Sequence, residues 1–122
     1  MAHILIVDDD AAIAQLIGEV LIAPGRTFVT ASSGAEALEK IGTARFDLVI
    51  LDRNMPSMGG LEVLRTLRSR PATAKLKILI CTAAEMLAEV DEAFAAGATD
   101  YIVKPLDFAK LNAKVAHHTR PG

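Results

Sequence analysis

The sequence has little of the cysteine on which very small or extracellular domains depend. It contains one cysteine, Cys81, in 122 residues, which excludes an internal disulfide and leaves too few thiolates for a structural zinc site. The length corresponds to about one domain, and a chain of this size buries enough apolar surface to fold without crosslinks. The sequence therefore predicts a single domain, residues 1–122, in a reducing compartment.

Aromatic residues and excess charge are also scarce. Phe, Trp and Tyr make up 4% of the chain and Trp is absent, while 13 Lys and Arg face 15 Asp and Glu for a net charge of −2. A broad basic surface that could neutralise the phosphates of a duplex is excluded, and a stacking platform for single strands is poorly supported. We expect no direct binding of nucleic acid.

Long hydrophobic runs are missing as well. The longest, such as Leu48 to Leu51 and Ile78 to Cys81, are far shorter than the roughly 20 residues that span a bilayer. The first residues, Met1-Ala2-His3, lack the basic region and the apolar stretch of a signal peptide. The sequence predicts a soluble cytoplasmic protein without membrane insertion.

Short aliphatic and β-branched runs alternate with longer segments whose apolar residues recur at helical spacing. Five strand-then-helix units in tandem predict an α/β fold with a mostly parallel sheet and helices on both faces, because parallel neighbours need a crossover connection. The predicted strands are Ile4–Val7, Thr27–Ala31, Asp47–Leu51, Ile78–Cys81 and Tyr101–Val103.

Helix ends are predicted from capping residues. Ser33 and Glu36 form a capping box at the second helix, and Asp107 caps the last. The fourth helix is predicted for Glu85–Ala96, ending at Gly97. The expected apolar stripes are Ile13, Leu16, Ile17, Val20 and Leu21 in the first helix, Leu61, Leu64 and Leu67 in the third, Leu87, Val90 and Phe94 in the fourth, and Phe108, Leu111 and Val115 in the last.

Polar side chains follow the predicted strands. In sheets of this kind ligands bind beyond the carboxyl ends of the strands, and the residues at those ends are Asp8-Asp9-Asp10, Asp52, Thr82 and Lys104. If Asp10 caps the first helix, three mutually repelling carboxylates remain, which one divalent cation and one ammonium group would neutralise. Oxygen ligands without nearby Cys or His favour Mg²⁺.

Such a site also suits phosphoryl transfer. Mg²⁺ shares its octahedron with phosphate oxygens, and an aspartate can act as the nucleophile that forms an acyl phosphate. Asp52 is the candidate, with Lys104 and the Thr82 hydroxyl placed to receive the equatorial oxygens, where negative charge accumulates.

Four motifs stand out, namely Ile4-Leu5-Ile6-Val7-Asp8-Asp9, Leu51-Asp52-Arg53-Asn54-Met55-Pro56 followed by Gly60, Thr82-Ala83, and Ala96-Gly97-Ala98-Thr99-Asp100-Tyr101-Ile102-Val103-Lys104-Pro105. Together they resemble the receiver domain of two-component response regulators, including its single-domain, CheY-like members, along essentially the whole chain. The resemblance implies a flavodoxin-like, doubly wound (βα)5 fold with strand order 2-1-3-4-5.

The resemblance also implies a role for each matching residue. Asp52 is the phosphoacceptor, and Asp8, Asp9, Asp52 and the main-chain carbonyl of Asn54 hold Mg²⁺. The phosphoryl group contacts Thr82, Lys104 and the main-chain amide of Ala83, while Thr82 and Tyr101 form the conformational switch. The Lys104-Pro105 peptide bond is expected to be cis.

The implied partners are a sensor histidine kinase or a histidine phosphotransfer protein, and a downstream protein that binds the face of the fourth helix, fifth strand and fifth helix. The domain is expected to assist its own phosphorylation and dephosphorylation without turning over an independent substrate. Arg53 is expected to be exposed beside the site, and the pair His117-His118 to place favourable charge at a helix C-terminus rather than to bind metal.

Three alternatives remain open at this stage. The chain could be a receiver module cut from a larger regulator or hybrid kinase. It could be a phosphatase of the haloacid dehalogenase type, although the second Asp that such enzymes carry two residues after the nucleophile is Asn54 here. It could also be a degenerate receiver that binds partners without phosphorylation, against which the complete set Asp8, Asp9, Asp52, Thr82 and Lys104 argues.

Overall fold

Strands and helices alternate along the chain, as the sequence predicts. The computed structural model describes residues 2–83 and 87–120, so the predicted start of the fourth helix at Glu85 lies outside the described residues. Within these ranges no helix has the length and apolar content of a membrane span. The elements are β1 (Ala2–Val7), α1 (Ala11–Leu21), β2 (Arg26–Ala31), α2 (Gly34–Thr43), β3 (Leu48–Asp52), α3 (Gly60–Arg68), a 3-10 turn (Pro71–Thr73), β4 (Ile78–Thr82), α4 (Leu87–Ala95), β5 (Asp100–Val103) and α5 (Phe108–His118).

The five strands form one parallel sheet in the order β2-β1-β3-β4-β5, which confirms the predicted topology. The order reverses between β1 and β3, because the chain runs outward from β1 to one edge and then from β3 to the other. Asp52 pairs in register with Cys81, and Thr82 with Val103. The carboxyl ends of the central strands therefore meet at the switch point where ligands bind in such sheets.

Two apolar clusters cover the two faces of the sheet. Side chains alternate between the faces along each strand, so Leu5 and Val7 enter one cluster while Ile4 and Ile6 enter the other. The first cluster includes residues of α2, α3 and α4, and the second includes residues of α1 and α5. Strands covered on both faces explain why the runs in β3 and β4 are continuously apolar.

The buried face of α1 differs from the predicted stripe. Ile13 and Leu16 are 41% and 48% exposed, and the helix packs instead through Ala14, Ile17, Gly18 and Leu21. A Cβ atom at Gly18 would lie 2.2 Å from the ring of Phe28. The absence of a side chain at position 18 therefore lets the helix turn this narrow face to the sheet, which leaves Ile13 and Leu16 outside.

The stripe predicted for α4 is also partly wrong. Phe94 is 45% exposed, whereas its neighbour Ala93 is fully buried. Ala93 belongs to the first apolar cluster, so the buried position falls one residue before Phe94. The Phe94 ring lies outside, edge-on to Tyr101 with 5.8 Å between the ring centroids.

Most predicted caps are confirmed. Ser33 and Asp107 accept hydrogen bonds from the first-turn amides of α2 and α5. Gly97 has φ of +106° after α4, the left-handed conformation expected of its position. The capping box differs in one partner, because Glu36 accepts from the main-chain N–H of Ser32 at 2.7 Å rather than from that of Ser33.

Candidate functional site

Three carboxylates lie together at the carboxyl edge of the sheet. Asp8 and Asp9 follow β1, and Asp52 is the last residue of the neighbouring strand β3. One oxygen from each lies within 4.8 Å of the others, with Asp8 and Asp52 buried and Asp9 exposed. The structure thus brings together the acidic cluster that the sequence predicts.

Local main-chain hydrogen bonds fix the buried carboxylates. The amide of Asp10 donates to Oδ1 of Asp8 at 2.9 Å, and the amide of Asn54 donates to Oδ1 of Asp52 at 3.2 Å. The carboxylate of Asp10 accepts from the amides of Ala12 and Ile13, which confirms it as the N-cap of α1. The Asp10 carboxylate is therefore occupied as a helix cap, whereas the carboxylates of Asp8, Asp9 and Asp52 are left to bind a ligand.

Lys104 supplies the positive charge of the site. Its Nζ atom lies 2.8 Å from Oδ1 of Asp52, and its amide donates to the carbonyl of Thr82 at 2.7 Å. The Lys104-Pro105 peptide bond is cis. The lysine side chain thus reaches across from β5 and neutralises part of the charge of the acidic cluster.

Burial and charge shift two pKa values in the site. Burial raises the pKa of Asp8, and the nearby charge of Asp52 acts in the same direction, although the hydrogen bond from Asp10 opposes them. Burial alone would lower the pKa of Lys104, but its hydrogen bond to Asp52 and the charges of Asp52 and Asp8 outweigh that effect and raise it. The lysine is therefore cationic at neutral pH.

The donor set fits a divalent cation of the hard type. Three carboxylates against one ammonium leave two uncompensated negative charges when all are ionised, the charge that Mg²⁺ would neutralise. All the side-chain ligand atoms are oxygens, which Mg²⁺ prefers. Asn54 lies in the loop directly after β3, so its main-chain carbonyl stays a predicted ligand beside Asp52.

The loop after β3 is held against the site by Gly60. The Gly60 amide donates to the carbonyl of Arg53 at 2.9 Å. A Cβ atom at this position would lie 2.4 Å from the carbonyl oxygen of Asp52. Only glycine permits this approach of α3 to the end of β3, and the approach fixes the main chain that carries Asp52.

The side chain of Thr82 binds a residue that the sequence analysis did not consider. Thr82 is completely buried at the end of β4, and its hydroxyl donates to Oε2 of Glu89 on α4 at 2.9 Å. Ala83 follows β4 directly and is exposed, so its main-chain amide stays a predicted phosphoryl contact. A spacing of seven residues across a strand-to-helix connection carries no recognisable signal, which is why Glu89 was missed.

Arg53, expected to be exposed, is mostly covered by α4. Its guanidinium forms an ion pair with Glu92 and donates to the main-chain carbonyl of Glu89 at 3.3 Å. The side chain is 14% exposed. The residue directly after Asp52 is thus tied to α4 instead of facing solvent.

Tyr101, the predicted switch aromatic, is half-buried on β5. Its ring lies edge-on to the Phe94 ring, and the Nζ atom of Lys114 lies 5.3 Å from its centroid. Tyr101 thus belongs to a surface shared by α4, β5 and α5, and its role in a switch with Thr82 stays a prediction.

Neither the cysteine nor the histidine pair belongs to the acidic cluster, although Cys81 pairs in register with Asp52. Cys81 is buried, and burial raises its thiol pKa to about 12. The Nε2 atom of His118 lies 2.9 Å from Oδ2 of Asp100, and Lys114 contacts the other oxygen at 2.9 Å. His118 therefore helps to join the end of α5 to the start of β5.

Comparison with known proteins agrees with this geometry. The sequence matches the response regulator receiver domain over residues 4–116. Among solved structures, CheY4 of Vibrio cholerae is 36% identical with a TM-score of 0.89 and covers 97% of this chain and 98% of its own. A putative response regulator from Chloroflexus aurantiacus is 34% identical with a TM-score of 0.90, covering 96% of each chain.

Longer relatives match the same region. The transcriptional regulatory protein ZraR of Klebsiella oxytoca is 37% identical over 120 residues, and the response regulator MprA of Mycobacterium ulcerans is 41% identical over 113 residues. These alignments cover 96% and 93% of this chain but 27% and 48% of the relatives. The chain therefore spans between about a quarter and a half of the length of these relatives.

The fold and the acidic edge of the sheet define the CheY-like class of doubly wound α/β signalling domains. The chain belongs to the response regulator receiver domain family of two-component systems. Members of this family are phosphoacceptor signalling switches rather than classical enzymes.

Proposed function

We propose that Asp52 accepts a phosphoryl group from the phosphohistidine of a sensor kinase or phosphotransfer protein. An Asp52 carboxylate oxygen attacks phosphorus, the bond from phosphorus to the histidine nitrogen breaks, and that nitrogen keeps the electron pair. The product is an acyl phosphate on Asp52. The observation that carries the proposal is the contact of Lys104 with Asp52 inside a cluster of three carboxylates.

The residues around Asp52 suit the transfer. Asp8, Asp9, Asp52 and the main-chain carbonyl of Asn54 would hold Mg²⁺, which when bound neutralises phosphoryl oxygens. Lys104 already contacts the acceptor carboxylate and would stay beside the phosphoryl group. Thr82 ends the adjacent strand β4 and Ala83 follows it, and the Thr82 hydroxyl and the Ala83 amide would donate to the remaining oxygens.

Two surfaces support the proposed protein partners. An apolar cleft of about 280 Å³ lies between α1 and the loop after β5, and its lining includes the exposed Ile13 and Leu16 together with Lys104. Because Lys104 contacts Asp52, this cleft adjoins the edge that a phosphohistidine donor has to reach. The α4-β5-α5 surface, with Phe94 and Tyr101, would bind the downstream protein.

The organisation of the whole protein is proposed from the relatives. We take residues 1–122 as one receiver domain. The regulators ZraR and MprA are longer than this chain, which supports the alternative that the domain works as a module of a larger regulator. The cytoplasmic location stays a prediction of the sequence.

Incubation with acetyl phosphate and Mg²⁺ tests the proposal. Intact-mass measurement should show one added phosphoryl group that hydroxylamine removes, because hydroxylamine cleaves acyl phosphates. The variant Asp52→Asn should not be labelled, whereas Asp10→Asn should be labelled as wild type, because asparagine caps a helix as well as aspartate. Equal labelling of wild type and Asp52→Asn would exclude Asp52 as the acceptor.

A further inference from the structure

The hydroxyl of Thr82 is already engaged in this structure. A threonine hydroxyl has one proton to donate, and here it donates to Oε2 of Glu89 at 2.9 Å. Thr82 is completely buried, so no water replaces that partner without rearrangement. The hydroxyl cannot donate to a phosphoryl oxygen on Asp52 while it donates to Glu89.

Glu89 is held in place from a second direction. Its main-chain carbonyl accepts from the guanidinium of Arg53, which also pairs with Glu92 one turn further along α4. Arg53 directly follows Asp52 in the chain, and Thr82 ends the neighbouring strand β4. The same turn of α4 is therefore bound both to the end of β3, which carries the proposed phosphoacceptor, and to the end of the neighbouring strand β4.

We propose that Glu89 is a positioning residue that keeps the domain in its unphosphorylated conformation by holding the Thr82 hydroxyl. The inference rests on the proposed phosphorylation of Asp52. Phosphorylation has to draw the hydroxyl away from a charged acceptor, and such hydrogen bonds are stronger than neutral ones. The release of Thr82 leaves the Glu89 carboxylate without that donor, so the contact couples the acceptor site directly to α4.

The coupling extends to the surface where a downstream protein is proposed to bind. Phe94 lies on α4 a little more than one turn after Glu89, and its ring contacts Tyr101 edge-on. A change in the packing of α4 at Glu89 therefore acts on the same helix that carries the exposed aromatic residue. Thr82 contacts α4 through Glu89, and Tyr101 contacts the same helix through Phe94. Their movements can therefore be linked without direct contact between them.

Binding of beryllium fluoride, a phosphoryl analogue for carboxylates, tests the inference. The dissociation constant is measured by titration calorimetry at saturating Mg²⁺ in wild type and in Glu89→Ala. Removal of the Glu89 carboxylate should populate the conformation in which the Thr82 hydroxyl is free. The variant should therefore bind beryllium fluoride about three- to tenfold more tightly than wild type. Unchanged or weaker binding by a folded Glu89→Ala protein would overturn the proposal.

Two further variants separate the contact from the charge. Glu89→Asp keeps the charge but shortens the side chain, and should bind the analogue more tightly, as Glu89→Ala does. Asp91→Ala removes an exposed charge from the same helix and should bind as wild type. Tighter binding by Asp91→Ala and not by Glu89→Asp would assign the effect to general electrostatics and overturn the proposal.

A double-mutant cycle with Thr82 gives the decisive comparison. In a Thr82→Ala background the Glu89→Ala substitution should leave the dissociation constant unchanged, because the hydroxyl through which it acts is gone. If Glu89 acts on stability alone, Glu89→Ala should lower Tm without changing the affinity for the analogue, or should change that affinity equally in the wild-type and Thr82→Ala backgrounds. Absence of analogue binding by the wild type would contradict the proposed function itself, a result distinct from equal binding by wild type and Glu89→Ala.

Discussion

Lys104 and Asp52 form an ion pair at 2.8 Å across the carboxyl edge of the sheet. Negative groups outnumber positive ones around this pair. Asp8 lies buried in the same cluster, and among the described residues no second cation contacts Asp52. The lysine is therefore the internal counterion of the metal-free domain. Replacement of this ammonium group should affect stability before any phosphorylation occurs.

Lys104→Ala should lower the free energy of unfolding of the metal-free protein by about 2 kcal/mol at pH 7, since two buried carboxylates lose their counterion. The raised pKa of Lys104 means that its contribution is fully present at pH 7 and is lost only as the pH rises through the folded-state value. Urea denaturation measures the loss, and saturating Mg²⁺ should recover part of it. Lys110→Ala, at an exposed position on α5, is the control, and an equal loss in that variant would contradict the prediction.

Asp9→Asn should remove most of the stabilisation of the protein by Mg²⁺. Asp9 is the exposed member of the carboxylate cluster, so its replacement should leave the fold intact while taking away a predicted ligand. The wild-type Tm should rise with Mg²⁺ concentration, because a ligand that binds only the folded state stabilises it. Differential scanning fluorimetry with Mg²⁺ and with EDTA compares the proteins.

The neighbouring Asp10→Asn variant is the matched control for this experiment. It removes a charge from the same run of acids, yet its side chain caps α1 instead of joining the cluster. Its Mg²⁺ response should equal that of wild type. If the two variants respond alike, the metal is held by general negative charge and not by the predicted ligands.

Asp100→Asn should destabilise the protein at neutral pH and not in strong acid. Burial alone would raise the pKa of Asp100, but hydrogen bonds from His118 and Lys114 outweigh it and lower the pKa. A carboxyl group with a lowered pKa contributes stability above its unfolded value of 3.8, and this contribution is lost as the pH falls through the folded-state value. The expected loss at pH 7 is about 1 kcal/mol.

The measurement for Asp100 is the free energy of unfolding as a function of pH. The curves of wild type and Asp100→Asn should lie apart at pH 7 and converge as the pH falls below 3.8. A constant separation across the range would show that packing, rather than the charge of Asp100, accounts for the difference.

Gly60→Ala should destabilise the loop that carries Asp52. The added Cβ would lie 2.4 Å from the Asp52 carbonyl oxygen, so the strand end or α3 has to move. We expect a loss of about 1–3 kcal/mol in stability, the range for overpacked sites, together with slower labelling by acetyl phosphate. At Gly42 in α2 a Cβ meets nothing within 4 Å, and Gly42→Ala should stabilise by about 0.5–1 kcal/mol. Equal effects at both sites would contradict this reasoning.

The sequence predicts the site better than it predicts the helix faces. Asp8 and Lys104 directly follow strands of a parallel sheet and Asp52 ends one, and in such a sheet the position along the chain determines which edge a residue reaches. The rotation of a helix depends on what lies opposite. Ile13 and Leu16 fit an apolar stripe in the sequence, yet the contact between Gly18 and the Phe28 ring turns them outward.

Side-chain partners across connections are the least predictable features. Nothing in the spacing of Thr82 and Glu89 indicates a hydrogen bond, because the path of the intervening chain determines whether the two side chains meet. The sequence predicts an exposed Arg53 beside the site, but its side chain is 14% exposed. Its ion pair with Glu92 depends on the approach of α4, which only the three-dimensional structure shows.

The buried thiol of Cys81 can serve as a probe of local opening of the sheet. The only thiol of the chain lies beside Asp52 in the sheet register, is 3% exposed and has a pKa of about 12. Alkylating reagents react with thiolates that solvent can reach, so modification of this cysteine requires separation of the central strands or their covering helices. Its alkylation rate therefore reports how often the sheet opens beside Asp52, the proposed phosphoacceptor, and a ligand that closes the site should slow the alkylation.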